Sequence, residues 1–327
     1  MFIISHRIKW ARTLTFGLLL LFANRLIAQN ADKDNPEKKL PAVENLTLET
    51  KDGVFLSAKF FPGTKGKEAV PIIMLHSMMN TAAKGAVYSK LAQDIQKFMG
   101  HAVIVPDLRG HGDSTKRRNP ADVNDRLTID RDTFTKDEFA SVGADIEACK
   151  KYLMTKNNKG ELNIEKLCVI ASDISAIVAI NWAVYDWSQP SNILIKNGQD
   201  VKALILLTPM QSHRGLSAQQ GLENNVIKRQ LSILILAGQK GTKYYADSKR
   251  IHNQLVRFHP DKFENEMDER NNKKLFEYGL PTSSQGSSML NIPNLKPNPS
   301  ALIGNFILYR LEKQEGFTWQ NRDPDAE

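Results

Sequence analysis

Five short segments constrain this chain more than any other feature in it. Val70–Leu75 (VPIIML), Ala102–Pro106 (AVIVP), Leu167–Ala171 (LCVIA), Lys202–Thr208 (KALILLT) and Leu231–Ala237 (LSILILA) are apolar at nearly every position and rich in Val, Ile and Leu. A strand with one wet face alternates between apolar and polar residues. A strand apolar throughout is buried on both faces, as happens when helices cover both sides of a parallel sheet. Segments of helical period separate the five: Ala86–Met99, Asp137–Thr155, Ile174–Trp187 and Tyr244–Phe258, with a last helix over Ser300–Lys313. Strand and helix in alternation predict an α/β architecture with a mostly parallel sheet.

The edges read differently. Asn45–Thr50 and Val54–Phe61 flank Asp52-Gly53, a hairpin signal that adds antiparallel strands. Lys274–Tyr278 reads as a short last strand, for a sheet of about eight strands in all. Asp113–Lys136 is long and charged and reads as loop. Only Pro209–Gln230 separates the strand ending at Thr208 from the next, which leaves room for a minimal cap and no second domain.

The N-terminus stands apart from this pattern. Arg7, Lys9 and Arg12 precede a short apolar run, Leu14–Ala23, and a polar acidic stretch follows from Gln29. That order is the signature of an export signal, and the apolar run is short for a bilayer span. The reading is a signal over 1–28 with a cut after Ala28, a polar linker over 29–43, one domain over 44–314 and a polar tail over 315–327; a retained anchor is the alternative. The protein is then secreted, periplasmic or otherwise exposed at the cell envelope. Losing 1–28 removes Arg7, Lys9, Arg12 and Arg25 and no acid, so the net charge falls from +8 to +4. The basic balance therefore argues neither for a nucleic-acid partner nor for a membrane, unless the N-terminal segment is retained. Cys149 and Cys168 are the two cysteines. Export permits a disulfide, and their apolar surroundings favour buried thiols.

Leu75-His76-Ser77 closes one buried strand, and Asp107-Leu108-Arg109-Gly110-His111-Gly112-Asp113-Ser114 follows the next. This D-x-R-G-x-G-x-S run resembles the loop after the fourth strand of α/β-hydrolases. With the downstream elements, the resemblance covers roughly residues 45–313 and is nearest in character to bacterial esterases and dienelactone hydrolases. It implies the α/β-hydrolase fold and a nucleophile on a strained strand-to-helix elbow, G-x-S-x-G, with small residues two before and two after. The matching stretch is Ala171-Ser172-Asp173-Ile174-Ser175. Only centring on Asp173 puts small residues, Ala171 and Ser175, on both sides. Centring on Ser172 sets Ile170 and Ile174 there, and centring on Ser175 sets Ile177 on one side. The nucleophile position thus holds aspartate.

By the same resemblance the acid position falls on Gly241, with Asp247 too far along a helix to replace it. The base position falls on Gln285, and the last histidine anywhere in the chain is His259. Oxyanion-hole donors would be the backbone N–H groups of Ile174 and of Ser77 or Met78. Asp173 is expected to accept from these groups and to cap the following helix. His76 and His111 lie near the site by motif and are candidate stand-in bases. No cofactor or metal is implied. These readings point to an exported pseudoenzyme that binds a small molecule or a protein. The alternative is a hydrolase of small esters or related substrates with a non-standard site centred on Asp173.

Overall fold

The computed structural model describes residues 40–79, 83–189, 196–260 and 262–324. The segment read as an export signal, 1–28, and the linker up to residue 39 lie outside the described residues. The strands are β1 Glu44–Glu49, β2 Val54–Phe61, β3 Pro71–Leu75, β4 Ala102–Pro106, β5 Lys116–Asn119, β6 Asp122–Thr128, β7 Leu167–Ser172, β8 Val201–Leu207, β9 Ser212–His213, β10 Leu216–Ser217, β11 Ser232–Gly238 and β12 Leu275–Leu280. The helices are α1 Ser89–Asp94, α2 Lys136–Ala140, α3 Gly143–Asn158, α4 Ile174–Ser188, α5 Gln219–Glu223, α6 Thr242–Val256, α7 Glu266–Asn272 and α8 Pro299–Ile307.

One ten-stranded sheet carries the fold, in the order β12-β11-β8-β7-β3-β4-β2-β5-β6, with β1 also paired to β2. The run from β12 to β4 is parallel, and every pairing beyond β4 is antiparallel. Every residue of β3, β4, β7 and β11 is buried. Neighbours along a strand feed opposite cores: in β7, Val169 joins the cluster containing Ile146, Leu153 and Ile177, while Cys168 and Ile170 join the one containing Tyr88, Leu91, Ile303 and Phe306. Both faces are therefore covered. Cys149 lies in the first cluster and Cys168 in the second, and both are free buried thiols.

Two expectations need correction. Asp113–Lys136 is not a loop: it contains the hairpin β5–β6, and this raises the strand number from about eight to ten. Its sequence, KRRN and DVNDRLT, carries no apolar alternation, and β5 is almost wholly exposed. Backbone pairing to Val54 and Phe55 of β2 holds it, a force that hydrophobic pattern does not record. The polar stretch after Glu315 is tied to the domain. The Arg322 side chain is fully buried, 2.8 Å from Asp200 and paired with Glu165. Asn157 and Asn163 donate to the carbonyls of Gln320 and Phe317 at 2.9 and 2.8 Å. The helical stretch read over Asp137–Thr155 is divided into α2 and α3 at Ser141-Val142.

The D-x-R-G-x-G-x-S loop is knit by its own charges. Asp107 accepts from the N–H groups of Gly85 and Asp113 at 2.7 and 3.1 Å. A Cβ on Gly112, which has φ +52°, would lie 2.1 Å from Asp107 Oδ2, so only glycine fits there. Arg109 reaches back to the buried Asp145 and across to Asp52 in the β1–β2 turn. No helix among the described residues is long and apolar enough to cross a membrane.

Candidate functional site

The parallel strands deliver their following loops to one end of the sheet, where α/β folds place their ligands. Leu75 of β3 pairs with Ala171 of β7, and Ser172 of β7 pairs with Leu207 of β8. Two residues further along, Ser77 and Asp173 stand abreast, with Thr208 beside them. A cleft of about 520 Å³ opens here, lined by residues that include His76, Ser77, Val87, Asp173, Tyr244 and Gln285.

Asp173 is the residue between β7 and α4, with φ 52° and ψ −114°. That backbone lies outside the ordinary left-handed well and is a strained elbow. The flanking serines point elsewhere. Ser172 is fully buried and shares a 2.8 Å hydrogen bond with the Tyr88 hydroxyl. Ser175 donates to the His76 carbonyl at 2.6 Å.

The carboxylate does not do what the sequence predicts of it. It makes no capping bond to α4, because a capping side chain needs an extended backbone and Asp173 has positive φ. Nor does it occupy a hole formed by the N–H groups of Ser77, Met78 and Ile174. The Ser77 hydroxyl lies on the same cleft wall and favours its charged form, and that hydroxyl accepts from the Met79 N–H at 3.2 Å. On its other side the carboxylate rests on Gly286: a Cβ there would be 2.4 Å from Asp173 Oδ2. Asp173 is 4 % exposed. Burial pushes its pKa up to about 6, and the Ser77 hydroxyl only partly offsets this.

Gly241 and Gln285 meet at the far side of the cleft. Gly241 is the last residue before α6, and Gln285 sits in the loop after β12. The Gln285 amide is fully used: Oε1 accepts from the Thr208 hydroxyl at 3.0 Å, and Nε2 donates to the carbonyls of Gly238 and Ser283 at 3.2 and 3.1 Å. The same Thr208 hydroxyl accepts from the Gly286 N–H at 2.9 Å. The amide lies so close over Gly241 that a Cβ on that glycine would be 1.9 Å from Nε2. Gln285 thus clamps three loops together and fills the space an acidic side chain at 241 would need. Asp247 lies on α6 in an ion pair with Arg250 at 3.0 Å, away from the cleft.

Neither histidine is placed as a base. His76 lines the cleft, but its Nδ1 is 2.7 Å from the Ser77 carbonyl and its Nε2 accepts from the Leu108 N–H at 2.9 Å. With Nδ1 as the donor, both ring nitrogens are committed. Burial pushes its pKa down to about 3. His111 packs edge-on against His76 at 5.1 Å and bonds the Arg109 carbonyl; burial lowers its pKa too, and it does not line the cleft. Among the described residues no group of three His, Cys, Asp or Glu side chains could hold a metal ion.

Sequence reading missed Thr208 and the Ser77 hydroxyl. Both stand at the ends of buried strands next to β7, so strand order would have found them, had it been legible.

Solved structures resemble this one. An esterase of Pyrococcus furiosus matches with a TM-score of 0.54 and 14% identity, covering 83% of this chain and 93% of its own. A hyperthermophilic esterase of the archaeon Pyrobaculum calidifontis matches at 0.51 and 10%, covering 90% and 91%. An acylaminoacyl peptidase of Pyrococcus horikoshii matches at 0.57 and 12%, covering 86% of this chain and 43% of its own. No family model and no curated protein matches the sequence. Fold and topology together make this chain an α/β-hydrolase-fold protein.

Proposed function

We propose that this is an exported α/β-hydrolase-fold pseudoenzyme that acts by binding a small molecule or a protein partner. One observation carries the reading: no imidazole with a free nitrogen lines the cleft among the described residues. The residues that the family resemblance assigns to the triad are Asp173, Gly241 and Gln285, and none of them supplies a base of the usual kind. A serine triad needs a base to take the hydroxyl proton and an acid to orient that base. An aspartate nucleophile needs no base for its first step, but hydrolysis of the resulting ester needs a base to activate water. The Gln285 amide cannot take a proton at neutral pH, and its hydrogen bonds give it a structural task instead.

A second reading rests on the Ser77 hydroxyl and the Asp173 carboxylate lining the same cleft. A carboxylate with pKa near 6 beside a hydroxyl is a weak general base, and it supports a hydrolase of small esters centred on Asp173. Hydrolysis of short-chain aryl esters, lactones and haloalkanes by the chain starting at Gln29, beside Asp173→Ala and Ser77→Ala, separates the two. No turnover in any of the three folded proteins is the expected result. Turnover lost in either variant would overturn the pseudoenzyme reading.

A further inference from the structure

The opposite end of the sheet holds a second cleft, of about 460 Å³. It opens where β8 and β11 begin and just before β12, and Lys202, Ser232 and Lys274 line it from those strands. Arg310 reaches it from the turn after α8, and Trp187 and Phe317 supply aromatic walls.

Its charges do not balance. Four cations, Lys196, Lys202, Lys274 and Arg310, face two carboxylates, Glu165 and Glu315. Glu165 is already taken: Lys196 bonds both of its oxygens, at 2.7 and 2.6 Å, and Arg322 pairs with it as well. Lys202 stands farther from it, at 3.7 Å, donates to the Gln199 carbonyl and lies 4.9 Å from the Trp187 ring centroid. Arg310 is 4 % exposed and has no carboxylate partner among the described residues. Its Nε donates to Ser232 Oγ at 3.3 Å, and its Nη1 to the carbonyls of Arg270 and Asn271 at 3.0 and 2.8 Å. Those carbonyls end α7, so one edge of the guanidinium caps a helix. The Nη2 edge is bonded to none of the described residues. Lys274 donates only to the carbonyls of Arg229 and Gln230, at 3.1 and 3.5 Å. Burial, then the neighbouring Lys196, pushes Lys202 down to about 8. Burial, then Arg310, lowers Lys274, and burial lowers Arg310.

A helix cap accounts for one edge of Arg310. It does not account for Lys202, Lys274 and Arg310 lining one cleft together with Lys196, where the cations outnumber the acids and Glu165 is already shared with Lys196 and Arg322. Such a cluster is costly empty and is stabilised by an anion bonded to several donors at once. We propose that this cleft binds a small tetrahedral dianion between Lys202, Lys274 and Arg310, as free phosphate or as the phosphate of a small organic molecule packed on Trp187 and Phe317. The site is independent of the cleft over Asp173 and of any activity there.

Thermal unfolding of the purified protein in phosphate, against chloride at matched ionic strength, tests the proposal. Saturable stabilisation by phosphate is expected. At about ten times Kd the folded-to-unfolded ratio rises about elevenfold. Lys202→Gln and Lys274→Gln should each weaken binding about tenfold, the loss of one charge-assisted bond. Calorimetric titration with phenyl phosphate separates the sources: tighter binding than phosphate assigns an organic phosphate, and equal binding assigns the free ion. Should the lysine variants fail to fold, Trp187 fluorescence of the unaltered protein reads the same event, with Trp187→Phe identifying the signal. Equal stabilisation by chloride, stabilisation retained in both variants, or no saturable fluorescence change would overturn the proposal.

Discussion

A methyl group on Gly241 would lie 1.9 Å from the amide nitrogen of Gln285. Positions 241 and 285 are therefore coupled sterically. A side chain at 241 would have to displace the Gln285 amide, which makes three hydrogen bonds.

This coupling is measurable. Gly241 has φ −94°, which alanine adopts without strain, so Gly241→Ala tests packing alone. We expect it to cost about 1–3 kcal/mol. In the Gln285→Ala background most of that cost should vanish, giving a coupling of about 1 kcal/mol or more in a double-mutant cycle by urea denaturation.

Asp173 should lower stability at neutral pH. Its ordinary value is 3.8 and burial raises it to about 6 in the folded state. Between those values the folded protein binds more protons than the unfolded chain, so this group's contribution falls as pH rises through the window. The gap corresponds to about 3 kcal/mol. Asp173→Asn keeps an acceptor for the Ser77 hydroxyl, and asparagine tolerates positive φ well. It should stabilise the protein by up to about 3 kcal/mol at pH 7–8. The gain should shrink towards zero near pH 4. Denaturant melts of both proteins across that range check the sign.

Arg109 neutralises a fully buried carboxylate, Asp145, and reaches Asp52 as well. Arg109→Met should cost about 3–5 kcal/mol at neutral pH, because Asp145 is left buried without its cation. The loss should ease on acidification as Asp145 takes up a proton. A loss below about 1 kcal/mol, the value of a surface pair, would contradict this account.

The C-terminal segment should matter more than its polar sequence implies. Ending the chain at Glu315 removes Arg322 from between Asp200 and Glu165 and strips the bonds to Asn157 and Asn163. We expect a loss of about 1–3 kcal/mol: Asp200 keeps Lys150 at 3.0 Å and Glu165 keeps Lys196, so each carboxylate loses one of several charge-assisted bonds. Arg322→Met alone should account for much of it.

The sequence by itself determined the parallel core, because a strand buried on both faces must be apolar at every position, and that signal is local. It determined the elbow residue by the same kind of argument: small neighbours are required at fixed offsets, and only Asp173 has them. It holds no histidine after His259. What only the tertiary structure decided are the pairings across the fold. The Ser77 hydroxyl beside Asp173, the Gln285 amide over Gly241, the β5–β6 hairpin and the burial of Arg322 each join residues that leave no mark on one another's local sequence. Lys202, Lys274 and Arg310 look like three unrelated surface charges along the chain, and the strand order β12-β11-β8 brings them to one cleft. Local pattern records which face of an element is dry and where the backbone must turn. Which distant group a polar side chain meets depends on strand order and loop path, and these exist only once the chain has folded.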